Sequence, residues 1–451
     1  MDILEAGISP FRRNNPAWFF IRSFILVILT GTFLLMLPIS SKSGKFTDFI
    51  TALFTATSAT CVTGLVVVDT GTYWSNFGQL VIMSLIQIGG LSYIVLATSL
   101  MILLNRRIPL RERIMIQFSL NAISIKGIVG LLKGVLISVL IFEGIGALSL
   151  FTIFIRQYPL LKAIKFAIFH AISAFCNAGF DLIGGFKSFT DYVDNIQLNL
   201  TVTSLIITGG IGFFVIYDIY QKIRRKKNHL SLHSKVALFT TLFLIILGTI
   251  VIFVLEYNNT LKPLSWQGKI LGSYFQSVTP RTAGFNTLDI GKMKPATWLF
   301  LIFLMFIGAS PGGTGGGIKT VTFLVLVLSI YTILLERKHV HFKNRSLNWE
   351  TVKRAWAVFF FSLNLVLISW FLLLLLEPFE PLKSLFEVVS AFGTVGLSTG
   401  ITPQLSSFGR LVIIFTMFLG RVGTVTAGLA LLSSINHKKV IDYPMEEVSV
   451  G

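Results

Sequence analysis

Four glycines occupy the same place in a short turn that recurs through this 451-residue chain: Gly64 in ATCVTGL, Gly179 in AFCNAGF, Gly284 in TPRTAGF and Gly396 in AFGTVGL. Their separations are 115, 105 and 112 residues, about a quarter of the chain, so the pattern is a fourfold internal repeat. Glycine admits positive φ, which lets successive carbonyls point the same way. Four such turns around one axis would stack rings of carbonyl oxygens that can replace the hydration shell of an alkali cation. The chemistry is coordination by backbone rather than by side chains. Its candidate ligands are Val62, Thr63 and Gly64; Asn177, Ala178 and Gly179; Thr282, Ala283 and Gly284; and Thr394, Val395 and Gly396. That these side chains differ between copies fits carbonyl ligation.

The elements that must hold such turns are apolar. Hydrophobic residues make up 53% of the chain and charged ones 13%, with mean hydropathy +0.78, which places it among polytopic membrane proteins. A turn at hydrocarbon depth is tolerated only when buried in protein or lining a wet cavity. Each copy is preceded by an apolar segment too short to cross a bilayer, as a re-entrant pore helix would be: Phe46 to Ala59, Lys162 to Ala174, Trp266 to Val278 and Leu382 to Ala391. Spans flank each turn. They are Trp18 to Leu37 and Phe77 to Leu104, Gly130 to Ile155 and Leu198 to Tyr220, Val236 to Leu255 and Ala296 to Leu335, then Trp356 to Leu376 and Leu411 to Ser434. The expected fold is all-α: four tandem units of span, pore helix, filter turn and span around a pseudo-fourfold pore axis. The units cover residues 1–115, 116–230, 231–345 and 346–451. The pore helices would aim their partially negative C-terminal ends at the ion.

The formal charge of +18 does not indicate nucleic acid, because the cations cluster at alternate ends of the spans. Arg12 and Arg13, the 105–113 loop, Lys222 to Lys227, the 336–354 loop and Lys438-Lys439 fall on one side. Both termini are therefore expected in the cytoplasm of a plasma-membrane protein, with the turns opening outward and the lipid bilayer as the surrounding partner. No small-residue cleavage site follows the basic N-terminal segment, so no signal peptide is read there. The basic loops are the natural docking surface for a cytosolic partner, or else solvated and headgroup-facing charge.

The second span of the third unit is interrupted by Pro311, Gly312, Gly313, Thr314, Gly315, Gly316 and Gly317. Proline and clustered glycine break a helix, and a flexible gate loop below the turns is the functional reading; a static kink is the bland one. The stretch is not a phosphate loop, since Ile318 separates Gly317 from Lys319. Any nucleotide control must come from another chain. Arg421 lies inside the last span, where a cation is costly and functional by default. It would form a barrier under the turns, or else pair with a carboxylate or with helix-end carbonyls. Lys319 and Asp218 fall either at depth or near the cytoplasmic ends of their spans, and Glu143 reads as a buried structural partner. Arg281 and Asp181 flank two of the turns. His170 reads as a packed neutral side chain, and Cys61 and Cys176 as small buried residues without a disulfide. Paired carboxylates, nucleophile triads and metal-ligand spacings do not stand out, so an enzyme is not expected.

The four-unit organisation, the TG, AG, AG and VG turns and the segment GASPGGTGGGIKT (Gly308 to Thr320) resemble the Trk/Ktr/HKT superfamily of potassium transporters over essentially the whole chain. No helix pair precedes the first unit, which resembles the bacterial KtrB-type subunit more than the longer TrkH type. The resemblance implies K⁺ uptake, a homodimer with one pore per protomer, and a cytosolic ring of nucleotide-binding RCK subunits of the KtrA type. It implies a gate at the glycine-rich loop with Arg421 and Lys319, and leaves Na⁺ as a candidate activator. Plant HKT relatives that favour Na⁺ replace the first glycine by serine, whereas this chain has Gly64. Two alternatives remain. A symporter driven by Na⁺ or H⁺ would call for inverted repeats and midplane carboxylates. A scaffold or lipid-modifying enzyme would leave the four turns unexplained.

Overall fold

The computed structural model describes residues 16–92, 95, 98, 101, 108–119, 128–225, 228–337, 339–343 and 345–423. Arg12, Arg13, Lys226, Lys227, Lys438, Lys439 and the stretch leading to Ser434 lie outside the described residues, as does most of the first unit's second span beyond Ser92.

The first unit consists of α1 (Pro16–Met36), α2 (Phe49–Thr60) and α3 (Asn76–Leu91). Pro38 follows the first helix, and Asp48 starts the second by accepting a hydrogen bond from the Thr51 N–H at 3.1 Å. Helix α4 (Leu110–Ser119) leads to the second unit: α5 (Ile128–Phe154), α6 (Leu160–Phe175), α7 (Ile196–Gly210) and α8 (Phe213–Ile223). The third comprises α9 (Leu232–Glu256), α10 (Trp266–Val278), α11 (Pro295–Phe306) and α12 (Thr320–Leu334). A two-stranded antiparallel hairpin, β1 (Val340–Phe342) and β2 (Arg345–Leu347), lies inside the expected 336–354 loop. The fourth unit has α13 (Trp349–Leu376), α14 (Pro381–Phe392) and α15 (Ser407–Val422).

The first helix of each unit, α1, α5, α9 and α13, is long and apolar enough to cross a membrane unbroken. The second spans are not. The expected continuous helix Leu198 to Tyr220 turns by 97° between α7 and α8, where Gly212 has φ +98°. The expected helix Phe77 to Leu104 ends at Leu91, with Ser92 at φ +70°, and α15 ends at Val422, with Gly423 at φ +92°. The long third-unit segment divides into α11 and α12, as its proline and glycines require. In every unit the helix that begins the second span therefore ends or bends short of the expected length.

Three of the breaks follow the same close approach. Gly89, Gly209 and Gly420 each lie so close to the end of their own pore helix that a Cβ would fall under 3.0 Å from a carbonyl oxygen, that of Thr60, Phe175 or Phe392. The span crosses the pore helix's C-terminus glycine to carbonyl and then must turn away. The third unit differs: there Gly308 packs on the Gly316 carbonyl of its own loop and not on the end of α10.

The four units close into a ring. Lys165 of α6 reaches Asn76 Oδ1 of α3 at 2.6 Å, Ser265 and Gln267 at the start of α10 bond to Asp194 of the second unit, and the Lys383 ammonium lies over the Trp298 ring. Arg410 of α15 reaches Thr51 Oγ1 of α2 at 3.3 Å, which joins the fourth unit to the first. Buried carboxylates tie first helices to second ones: Glu256 accepts from the Lys294 N–H at 2.9 Å and Thr297 Oγ1 at 2.5 Å, and Glu377 accepts from the Ser406 N–H at 2.8 Å.

Candidate functional site

Each pore helix runs directly into its turn, and the four turns share one backbone. Gly64, Gly179, Gly284 and Gly396 all have positive φ, between +69° and +91°. So does the residue two before each glycine: Val62 at +57°, Asn177 at +59°, Thr282 at +73° and Thr394 at +49°. Holding a non-glycine residue in this region at four equivalent places costs energy that the surrounding packing must supply. Thr63, Ala178, Ala283 and Val395 lie between the two left-handed positions, and this alternation turns successive carbonyls to one side.

The glycines meet in a closed cycle. A Cβ built on Gly64 would fall within 3.0 Å of the Ala178 carbonyl oxygen, one on Gly179 within 3.0 Å of Ala283 O, one on Gly284 within 3.0 Å of Val395 O, and one on Gly396 within 3.0 Å of Thr63 O. Each unit thus abuts the next, and the fourth abuts the first. The four glycines and the residue before each, Thr63, Ala178, Ala283 and Val395, come together at this ring.

Hydroxyls at the ends of the pore helices hold the turns in shape, and sequence reasoning passed over them. Ser58 Oγ accepts from the Gly64 N–H at 3.1 Å and Ser390 Oγ from the Gly396 N–H at 3.1 Å. Ser173 donates to the Phe180 carbonyl at 2.8 Å, and Thr279 donates to the Phe285 carbonyl at 2.5 Å. A serine six residues before the glycine in three copies was the available signal.

Beyond the ring, on the side away from the span breaks, lies a cavity of about 290 Å³ that reaches all four glycines. Asp69, Asp181 and Asp289 line it. Asp181 is half-buried there, and its burial pushes the carboxyl up to about 6, against a hydrogen bond from the Ile183 N–H. Glu387, on α14, accepts bonds from Ser398, Thr399 and Thr402 and so fixes the fourth unit's share of the rim.

On the other side of the ring sits the glycine-rich segment. It is docked against three units. Thr314 donates from its N–H to Gly209 O at 3.1 Å and from its hydroxyl to Phe175 O at 3.3 Å, and its carbonyl accepts from Arg421. The Ser310 N–H bonds to Gly210 O at 2.9 Å and the Phe213 N–H to Gly312 O at 3.0 Å, so the break in the second unit is tied to the segment by backbone hydrogen bonds. The Gly316 N–H donates to Thr394 Oγ1 at 3.0 Å. Gly313 and Gly315 pack so closely on Gly210 and Thr282 that only glycine fits there without displacement, and Gly317, at φ +66°, lies against Gly308.

Arg421 answers the question its position raised. Its guanidinium donates to the Thr314 carbonyl and to the Gly89 and Gly90 carbonyls, the latter two at 2.5 and 3.4 Å. It therefore bridges the fourth unit, the first unit's break and the third unit's segment, satisfied by carbonyls rather than by a carboxylate. Lys319 lies against the same segment, where its ammonium donates to Gly315 O at 2.6 Å and Gly316 O at 3.3 Å.

The remaining candidates have structural duties. Asp218 accepts from the Ser231 N–H and Ser234 hydroxyl at the start of α9. His170 is ringed by aromatic side chains, with Nδ1 toward Phe166 O at 2.7 Å and Nε2 accepting from the Leu182 N–H at 3.2 Å, the pattern of a neutral imidazole. Gln87 donates to Glu143 at 3.1 Å. Arg281 points behind its turn to Thr241 Oγ1 at 3.3 Å, away from the ring. Cys61 and Cys176 are free and buried.

The sequence family described as "TrkH: Cation transport protein" matches residues 5–441. The chain is similar to Ktr system potassium uptake protein B of Bacillus subtilis (strain 168), with 43% identity covering 100% of both chains. It is also similar to the potassium/sodium uptake protein NtpJ of Enterococcus hirae, 39% identical over 100% of both. The crystal structure of the potassium transporter TrkH from Vibrio parahaemolyticus matches the fold with a TM-score of 0.70 at 19% identity, covering 91% of this chain and 85% of that one. Profile, full-length relatives and fold agree: the chain is not an enzyme but a membrane protein belonging to the TrkH family of cation transport proteins.

Proposed function

We propose that this chain is the ion-translocating subunit of a potassium uptake system, with K⁺ passing through the ring formed by residues 62–64, 177–179, 282–284 and 394–396. The observation that carries the reading is the closed cycle in which each left-handed glycine abuts a carbonyl of the next unit. A ring so built presents carbonyl dipoles to a dehydrated cation, and the ends of four short helices add negative potential behind it. The names of the full-length relatives, a potassium and a potassium/sodium uptake protein, support K⁺ as cargo.

In this reading ions collect in the acid-lined outer cavity, lose water at the ring, and meet a closed passage below it. Gly312 to Gly317 form the gate. Arg421 and Lys319 place two positive charges at that level, each held by carbonyls of the gate segment, so an ion is repelled until the segment withdraws. The four-unit division, the cytoplasmic placement of both termini, the homodimer, and control by a cytosolic RCK-type subunit that binds nucleotide belong to the same proposal. The Ktr-system name of the relative is consistent with such a partner.

The test is flux. The purified chain in liposomes should take up Rb⁺ or K⁺ down a gradient and discriminate against Na⁺, and deletion of Gly312 to Gly316 should raise that flux. Absence of selective uptake by folded protein would remove the filter reading. A strict Na⁺:K⁺ or H⁺:K⁺ stoichiometry would replace free conduction by coupled transport.

A further inference from the structure

The left-handed residues of the turns have two faces. Their carbonyls belong to the ring, while positive φ directs the side chains of three of them toward the glycine-rich segment or its neighbours. Thr394 Oγ1 accepts the Gly316 N–H at 3.0 Å. A Cβ on Gly315 would collide with Thr282 Oγ1, and that hydroxyl also accepts from Asn177 Nδ2 at 3.3 Å. Thr282, Thr394 and Asn177 are fully buried. The Gly316 N–H therefore has its acceptor on the selectivity ring itself, not within its own segment.

We propose that Thr394 is a positioning residue that latches the gate segment to the ring: withdrawal of the segment must break the Gly316 to Thr394 bond, and the bond in turn holds the fourth turn in its left-handed shape. This rests on the gate reading above and adds to it a named coupling between gate and ring. A buried donor that loses its acceptor is expensive, so the hydroxyl biases the segment toward its docked position.

The fold itself supplies the control. Val62 stands at the equivalent place in the first unit with φ +57°, so valine is compatible with this backbone and Thr394→Val removes the hydroxyl at nearly constant shape. In liposomes without any regulatory subunit, Thr394→Val should raise basal Rb⁺ flux roughly two- to tenfold, the range expected for loss of one neutral hydrogen bond. Thr394→Ser should restore the parent level. The valine variant should add nothing to the deletion of Gly312 to Gly316, because the deletion already removes the latched segment. A role confined to ring shape predicts instead a lower K⁺ over Na⁺ preference at unchanged basal flux, and that result, or an additive effect in the deletion background, overturns the latch. If the deletion itself fails to raise flux, the gate reading falls. If the deletion raises flux and Thr394→Val does not, the gate stands and the latch alone is lost.

Discussion

A single missing Cβ decides whether each quarter of the ring can close. At Gly64 a side chain must displace the Ala178 carbonyl and also adopt φ +90°, so Gly64→Ser is expected to widen the ring on one side. The K⁺ over Na⁺ preference, measured by competitive Rb⁺ uptake, should fall by about tenfold, the effect of losing roughly 1.4 kcal/mol of differential coordination. A fully retained preference would place selectivity elsewhere. Acid in the outer cavity is a second residue-scale effect. With its carboxyl raised to about 6, Asp181 is charged at pH 7.5 and takes up a proton as pH falls through that value. The mouth then loses one of the negative charges that concentrate cations beside Asp69 and Asp289, so uptake at sub-saturating K⁺ should decline between pH 7 and pH 5. Asp181→Asn should be slower at pH 7.5 and nearly flat with pH; an undiminished acid response in that variant assigns it to another group.

At the scale of elements, the repeated crossing of second span and pore helix carries the most weight. Gly209→Ala puts a methyl group into the Phe175 carbonyl, and overpacking of this kind costs about 1–3 kcal/mol even when neighbours adjust. The variant should unfold several degrees lower in detergent, whereas Gly144→Ala, whose Cβ would meet nothing within 4 Å, should not. Equal stability of the two would mean the crossing tolerates separation. This architecture was only partly legible beforehand. Turns, pore helices and unbroken first spans follow from apolar length and from the glycine repeat, and Trp266 to Val278 falls within the same bounds in sequence and structure. The breaks at Ser92, Gly212 and Gly423 do not, because the residues around them are apolar and hydropathy registers composition rather than backbone direction. Gly89-Gly90, Gly209-Gly210 and Gly420 marked them, at 25, 30 and 24 residues beyond their ring glycines. The third-unit break was readable because proline stood beside the glycines. The carbonyl partners of Arg421 were open in sequence, since a guanidinium can end on a carboxylate or on backbone with equal chemical reason.

For the whole molecule, the proposed function places the basic 336–354 loop, with its hairpin β1–β2, on the side of a cytosolic partner. Replacing Arg337, Lys343 and Arg345 together by Gln should weaken binding of an RCK-type subunit roughly tenfold at low salt, with a smaller difference at high salt, as read by co-purification or interferometry. Basal flux of the chain alone should not change, since these residues lie far from the ring in sequence and outside every contact described for it. Binding that ignores both the substitutions and the salt would move the docking surface elsewhere. Because one polypeptide closes the ring, Arg410 and Thr51 join residues more than three hundred positions apart in sequence.

That closure has a further consequence for how such a passage can change. Where identical subunits build a pore, one codon rewrites every wall at once, and nothing can occupy the lumen on one side only. Here four walls are written separately, so a substitution edits a single quadrant and can shift ion preference in small steps. In the proposed function the same independence lets one quadrant contribute the gate segment and another the Arg421 guanidinium bonded to it, a lopsided arrangement that strict rotational symmetry would multiply by four and crowd out of the channel.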